Sequence, residues 1–206
     1  MMLVGLCRRA VLRLTAVIFL ASISPCAAYL MDAGSPQHAG VGVRDNSSCV
    51  WAAEPFRLDY DAYVTALGAA VARAMGPADA GFDVYLSATT YGLPSSAIAK
   101  LPNPLVPLNT QYVYYDGALS APVFLTAGIY YLVFMPTSTS FYGSISYAVK
   151  PGIYYGQRTA DYGQSWYMLA YPLAVRVDGW FVPEPSSVGI VVAGVLGLVA
   201  LRRRTS

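Results

Sequence analysis

The chain has few of the side chains that most often carry out chemistry. Among its 206 residues there are three cysteines and one histidine. Cys49 is the one cysteine beyond residue 28, so no intramolecular disulfide is expected, and there is no CxxC motif for a metal or redox site. We expect Cys49 to be a small, partly buried apolar residue, with an intermolecular disulfide as the alternative.

Catalytic motifs are also missing. There is no GxSxG nucleophile elbow, HExxH pair or Gly-rich phosphate loop. His38 lies in a segment rich in Gly, Ser and Pro, where a solvated linker residue is expected. Asp59 and Asp61 would lie roughly 7 Å apart on one strand face, within the ~5–9.5 Å that a glycosidase uses. A solvated turn, or at most a weak Ca²⁺ site, is the favoured interpretation. No cofactor or metal is predicted.

Charge is scarce and unevenly placed. Charged residues make up 12% of the chain and hydrophobic ones 56%. The formal net charge is +2, but six of the thirteen basic residues lie at the two ends. Residues 29–182 contain seven basic and ten acidic side chains, a net charge of −3. The middle of the chain therefore offers no basic surface for nucleic acid.

The first 28 residues have the order of a secretory signal peptide. Three arginines precede the apolar run 14–23, and Cys26-Ala27-Ala28 places small residues before a cleavage point between Ala28 and Tyr29. Arg8-Arg9 leaves twin-arginine export as an alternative to ordinary secretion. Pro25 argues against a lipobox at Cys26.

The other end has the parts of a membrane anchor. Pro183-Glu184-Pro185 is followed by a run of about fourteen apolar residues and then by Arg202, Arg203 and Arg204. As a helix the run spans roughly 21 Å, and flanking serines and arginines extend it, which predicts a transmembrane helix at 187–201. The arginines act as a stop-transfer signal that keeps the C-terminus in the cytoplasm and the middle of the chain outside the inner membrane.

Taken together, residues 182–206 resemble the PEP-CTERM sorting domain. The resemblance implies a Gram-negative bacterium that makes extracellular polysaccharide, and an exosortase as the processing enzyme. Pro183, Glu184 and Pro185 would then be the recognition motif for that protease. Proline fixes φ and is excluded from helix and sheet interiors, so this motif is expected to be stiff and accessible.

The middle of the chain has the pattern of β-strands. Phe82–Ser87 and Leu173–Asp178 alternate between apolar and other residues, and Gln111–Tyr115 and Ile129–Met135 are rich in strand formers. Asp116-Gly117, Ala127-Gly128, Pro151-Gly152 and Asp178-Gly179 are the predicted turns. Many short strands separated by turns favour a β-sandwich.

Residues 59–76 are ambiguous, because their apolar residues fit both a helix and a strand face. A second resemblance favours the strand over the helix. Residues 82–87, the Gly92-Leu93-Pro94 loop and the Leu125-to-Tyr131 stretch, followed by Trp166, are similar to the choice-of-anchor domains that often precede PEP-CTERM tails. On that template Tyr63–Ala74 is a strand. The predicted fold is all-β, a single β-sandwich or jelly-roll-like domain at 49–181, preceded by a flexible segment at 29–48 and flanked by the signal and membrane helices.

Tyrosine is the most abundant aromatic residue, with seventeen in all. An amphipathic ring stacks on sugar faces while its hydroxyl forms hydrogen bonds, but the same ring also suits sandwich packing or protein contacts. The residues predicted as possible glycan contacts are Tyr154, Tyr155, Tyr162 and Trp166. The expected function is a non-enzymatic exported protein, tethered to the inner membrane and delivered to the outer surface or matrix, with polysaccharide or an envelope protein as partner. The alternatives are a polysaccharide-modifying enzyme that uses Asp59 and Asp61, and an unprocessed single-pass membrane protein.

Overall fold

The computed structural model describes residues 28–44, 50–149 and 156–183, and these ranges contain strands and no helix. The strands are β1 (Ala28–Asp32), β2 (Pro36–Arg44), β3 (Trp51–Leu58), β4 (Ala62–Met75), β5 (Phe82–Thr90), β6 (Leu93–Lys100), β7 (Val113–Leu125), β8 (Gly128–Pro136), β9 (Tyr142–Ala148), β10 (Gln157–Thr159), β11 (Tyr167–Met168) and β12 (Val175–Phe181). Within the same ranges there is no helix that could cross a membrane. The predicted signal and transmembrane helices, like Cys49 and the Pro151-Gly152 turn, lie outside the described residues.

The strands form two antiparallel sheets. Sheet A has the order β1-β12-β4-β9-β2, with β7 paired to β4, and sheet B has the order β11-β10-β3-β8-β5-β6. Side chains from both sheets meet in one apolar core, with Val64, Leu67 and Val175 from sheet A and Phe56 and Phe134 from sheet B. Full burial of each large side chain contributes about 1.5–3 kcal/mol. The all-β prediction is confirmed, and the two sheets pack face to face as a β-sandwich does.

The ambiguous stretch is a strand, as predicted. β4 runs for 14 residues through the middle of sheet A, paired with β7 on one edge and with β12 and β9 on the other. A bulge between Val64 and Ala66 moves Val64 onto the same core face as Leu67, Ala69 and Val71. Ala70, on the other face, is also buried and packs against other alanines. Tertiary pairing therefore outweighs the local helical period.

The predicted turns are correct in one case and wrong in two. Ala127-Gly128 does connect β7 to β8. Asp116-Gly117 instead lies inside β7, and Asp178-Gly179 lies inside β12 at a bulge. Glycine serves close packing at both places: a Cβ on Gly117 would lie 2.9 Å from Leu101 Cδ1, and one on Gly179 would lie 1.9 Å from the Tyr63 carbonyl oxygen.

The segment at 29–48, predicted to be flexible, instead contains most of β1 and all of β2. β1 pairs with β12, and β2 pairs with β9. Arg176 on β12 stabilises the first of these pairings. Its guanidinium lies 3.6 Å from the ring centroid of Tyr114 and 5.1 Å from that of Tyr29, and its Nε is 3.6 Å from the Asp32 carboxylate. The sandwich therefore begins at residue 28 rather than 49.

Replacing Gly179 by alanine is expected to destabilise the sandwich by about 3 kcal/mol or more, because the new methyl overlaps the Tyr63 backbone and β12 must shift. Gly128→Ala is the matched control, since the nearest atom to its Cβ is 3.6 Å away. Urea unfolding of the purified chain checks both variants. Equal midpoints for the two would show that the Gly179 contact is not tight.

Candidate functional site

The outer face of sheet B carries an aromatic groove with a volume of about 320 Å³. Its floor is formed by strands β3, β5, β6 and β8, and one wall is the loop between β10 and β11. The lining residues are Trp51, Tyr85, Ser87, Pro94, Ser95, Ala97, Val133, Met135, Tyr162, Gly163 and Trp166. Ligand pockets usually measure about 300–1,000 Å³, so the groove suits a small ligand or a short segment of a polymer.

The rings of the groove are brought together by a glycine. Gly163 has φ +83°, and a Cβ there would lie 3.0 Å from Trp51 Cζ3 and 3.8 Å from Trp166 Cζ2. The Trp51 and Tyr162 ring centroids are 6.0 Å apart with planes at 88°, an edge-to-face contact. Tyr162 also has positive φ, and its residue surface is 60% exposed. The loop thus presents Tyr162 and Trp166 beside Trp51 at an open surface.

Hydrogen bonds within the loop hold this arrangement. Thr159, which is fully buried, accepts the N–H groups of Asp161 and Gly163 on its Oγ1 at 3.2 and 3.1 Å. The Asp161 carboxylate in turn accepts the Thr159 hydroxyl and the Ser165 N–H at 2.5 and 2.8 Å. Hydrogen bonds from Ser165 and then Thr159 lower the pKa of Asp161 to about 2. Because the pKa of Asp161 is lower in the folded protein, the stability that these bonds contribute is fully present above the ordinary pKa of an aspartate. It is lost only as the pH falls toward 2.

One rim of the groove carries an ion pair. Lys100 Nζ lies 2.7 Å from Asp83 Oδ2 and 5.2 Å from the centroid of the Tyr85 ring. The hydrogen bond with Asp83 raises the pKa of Lys100. The two charges of this pair offset each other, and none of the lining residues in the described ranges is charged. The recognition chemistry of the groove is that of aromatic faces with hydroxyl groups beside them.

Two of the four predicted glycan-contact residues meet here. Tyr162 and Trp166 line the groove together, while Tyr154 and Tyr155 lie outside the described residues. Sequence reasoning missed Trp51 and Tyr85. Each occupies a strand position whose outward direction follows from the period of two, but their convergence depends on the order of β3, β8 and β5 in the sheet.

The carboxylates considered for catalysis lie elsewhere. Asp59 pairs with Arg57 at 2.9 Å, and the Asp61 carboxylate accepts the Ala127 N–H at 2.9 Å. Both aspartates are exposed, and neither lines the aromatic groove. Asp61 therefore has a structural contact, because it ties the β3–β4 loop to the β7–β8 turn. His38 is exposed on β2 and lies in a strand rather than a linker.

A buried carboxyl that the sequence did not single out lies within the sandwich. Glu54 on β3 is 1% exposed, and its Oε2 accepts the Leu173 N–H at 2.8 Å. Burial away from water raises the pKa of Glu54 well above its ordinary value, although the Leu173 hydrogen bond opposes this. The ionised form is therefore disfavoured in the fold, and the sandwich gains from Glu54 at low pH and loses that gain as pH rises through the raised pKa.

Glu54→Gln is expected to stabilise the protein at alkaline pH and to change little at acid pH. The amide keeps an oxygen for Leu173 and removes the buried charge. Between the unfolded and folded pKa values the free energies of unfolding of the two proteins should diverge by up to about 1.4 kcal/mol per pH unit. Urea unfolding at pH 4.5 and at pH 8 measures this. A difference that does not depend on pH would contradict it.

The two ends of the sandwich lie side by side in sheet A. Ala28, where signal cleavage is predicted, pairs with Gly179, and Tyr29 pairs with Asp178. β12 ends two residues after Gly179. Pro183, the first residue of the predicted sorting motif, is exposed. Glu184, Pro185 and Arg202–Arg204 lie outside the described residues. The predicted signal and the predicted membrane segment would thus both be attached at one end of the sandwich.

Comparison with known families identifies the tail. Residues 181–204 match the model of the PEP-CTERM protein-sorting motif. A search of curated proteins gave no match to the chain. The predicted sorting motif is confirmed, so the chain is an exported protein that is directed to the cell envelope, with an exosortase as its processing partner. The resemblance of the central residues to choice-of-anchor domains stays a prediction.

Proposed function

We propose that the protein is a non-enzymatic envelope protein whose sandwich binds extracellular polysaccharide in the aromatic groove. The observation that supports this most is the convergence of Trp51, Tyr162 and Trp166 at one open site, built on a loop whose hydrogen bonds are internal. A loop fixed before binding loses little conformational entropy when the ligand arrives.

Binding would involve both the C–H face and the hydroxyl groups of a sugar ring. The C–H face of a pyranose packs against the indole and phenol rings, and its hydroxyls exchange hydrogen bonds with the hydroxyls of Tyr162 and Ser95. The net charge of −3 over residues 29–182 favours a neutral polymer over an acidic one. None of the groove-lining residues in the described ranges has a carboxyl, imidazole or thiol group, which supports binding without turnover.

The two ends of the chain would direct the protein to the cell surface. The signal is removed between Ala28 and Tyr29, and the apolar run at 187–201 tethers the sandwich to the inner membrane on its periplasmic side. The exosortase then processes the chain at Pro183, Glu184 and Pro185, and the sandwich passes to the outer surface or the matrix. Tethering before release keeps the protein close to the export machinery of the polymer.

A glycan array tests the proposal and its rival. The purified chain is applied to neutral and acidic polysaccharide fragments, and the array is then searched for shortened products. Binding that persists in Asp59→Asn/Asp61→Asn without any product supports a binding protein. Product formation that is lost in this double variant would instead establish a polysaccharide-modifying enzyme.

A further inference from the structure

A second group of aromatic residues surrounds the point where the chain leaves the sandwich toward the sorting motif. We name it the exit patch. Tyr63 stacks on Trp180 with ring centroids 5.5 Å apart and contacts Phe124 at 5.3 Å. Phe181 meets Tyr60 edge-to-face at 6.1 Å. The patch crosses three neighbouring strands, because Tyr63 on β4 pairs with Phe124 on β7 and with Trp180 on β12.

Three of the five rings of the exit patch are exposed to solvent. Tyr60, Phe124 and Phe181 have 54%, 48% and 44% of their surface exposed. Trp180 and Phe181 are adjacent on β12 and point to opposite faces of sheet A, so the rings flank the end of this strand on both sides. Exposed apolar surface gathered at one place marks a site of contact with a protein or a membrane. Tyrosine and tryptophan are also the residues that accumulate where a protein meets the headgroup layer of a membrane.

The position of the patch points to its partner. The Val182 N–H donates to the Asp61 carbonyl at 2.8 Å, which fixes the chain against the β3–β4 loop just before Pro183. The apolar run begins at Val188. Five extended residues span at most about 17 Å, so an inserted run holds the exit patch within that distance of the bilayer.

We propose that the exit patch docks on the headgroup layer of the membrane that holds the tail, and so presents the sorting motif at the membrane surface. This rests on the proposed tethering by residues 187–201. With the rings in the headgroup layer, Pro183 lies at the depth where an integral-membrane protease reaches its substrate. The chain between sandwich and membrane is then held at a defined height.

The charges near the exit patch indicate which lipids are sufficient for docking. Arg57 pairs with Asp59, and the Asp61 carboxylate accepts the Ala127 N–H. There is no excess of positive charge among these residues, so docking relies on the rings and does not require anionic lipid. We expect it to occur on zwitterionic phosphatidylcholine and to change little with salt.

Tryptophan fluorescence tests the proposal in the full chain reconstituted into phosphatidylcholine vesicles. The chain has three tryptophans. Trp51→Phe/Trp166→Phe leaves Trp180 in the exit patch as the reporter, and Trp180→Phe leaves the two groove tryptophans as the matched control. A lipid with a spin label close to its headgroup is added, and it quenches only rings within or near that layer. The Trp180 reporter is expected to be quenched severalfold more than the groove tryptophans.

Each result decides a separate point. Equal quenching of the two variants, or none of Trp180, in protein that floats with the vesicles overturns docking and leaves the tether intact. Protein that does not float with the vesicles overturns the tether and the docking that rests on it. Trp180 quenching that is lost at high salt would contradict a patch that binds through its rings.

Discussion

Tyr162→Ala/Trp166→Ala is expected to weaken polysaccharide binding by about 30-fold or more. Removing buried aromatic contacts from the centre of a binding site typically costs at least ~2 kcal/mol, and 1.4 kcal/mol corresponds to about tenfold in affinity. The sandwich should remain folded, because Tyr162 is largely exposed and the hydrogen bonds of the loop involve Thr159, Asp161 and Ser165. Titration calorimetry with a polysaccharide that binds the native protein measures the change.

The matched control for this double variant is Tyr60→Ala. It removes another half-exposed aromatic ring, but one that lies outside the groove. Binding should be unaffected, and near-ultraviolet circular dichroism should show that all the variants keep the native packing. Similar losses in the groove variant and in Tyr60→Ala would mean that the groove is not the binding site.

Pro183→Ala/Glu184→Ala/Pro185→Ala is expected to leave nearly all of the protein in the inner membrane. The exosortase would lose its proposed recognition motif, while the apolar run and the arginines that are proposed to hold the tail are unchanged. Fractionation of the producing cells into membrane and released protein measures the effect. Ser186→Ala changes the neighbouring residue and should be released normally. Normal release of the triple variant would show that another signal directs processing.

The strand character of most of the sandwich is predictable from the sequence, because period-two patterns specify which face is buried. Phe82–Ser87 lies within β5 for this reason, and Ile129–Met135, predicted from its strand-forming residues, lies within β8. β4 is different, since its own pattern fits a helix equally well. Its secondary structure is determined by the strands that pair with it on both edges. These strands are far away in the sequence, so the local pattern does not predict them.

The misplaced turns have a related physical cause. Asp-Gly is a turn signal when glycine is needed for its backbone freedom. Gly179 is needed instead because the Tyr63 backbone approaches it, a close contact inside a sheet. The two uses of glycine cannot be distinguished until the partner strand is known. The prediction of a flexible segment at 29–48 is wrong for a similar reason, since its glycines and proline do not prevent strand pairing at the edges of sheet A.

The candidate groove is predictable only in part. The abundance of tyrosine and the Gly- and Ser-containing loop before Trp166 indicate where ring contacts lie. Trp51 joins them because β10 pairs with β3, a contact between residues more than a hundred positions apart. Glu54 could not be identified as buried either, because a single glutamate in a strand gives no sign that its face is the core.

The intact mass of the native protein recovered from the cell surface tests the central claim most directly. An exported protein sorted through its tail should begin at Tyr29 and should lack Val188 to Ser206, with its C-terminus at or near the Pro183-Glu184-Pro185 motif. A mass that corresponds to residues 29–206 would contradict sorting by an exosortase and would establish a permanently anchored protein.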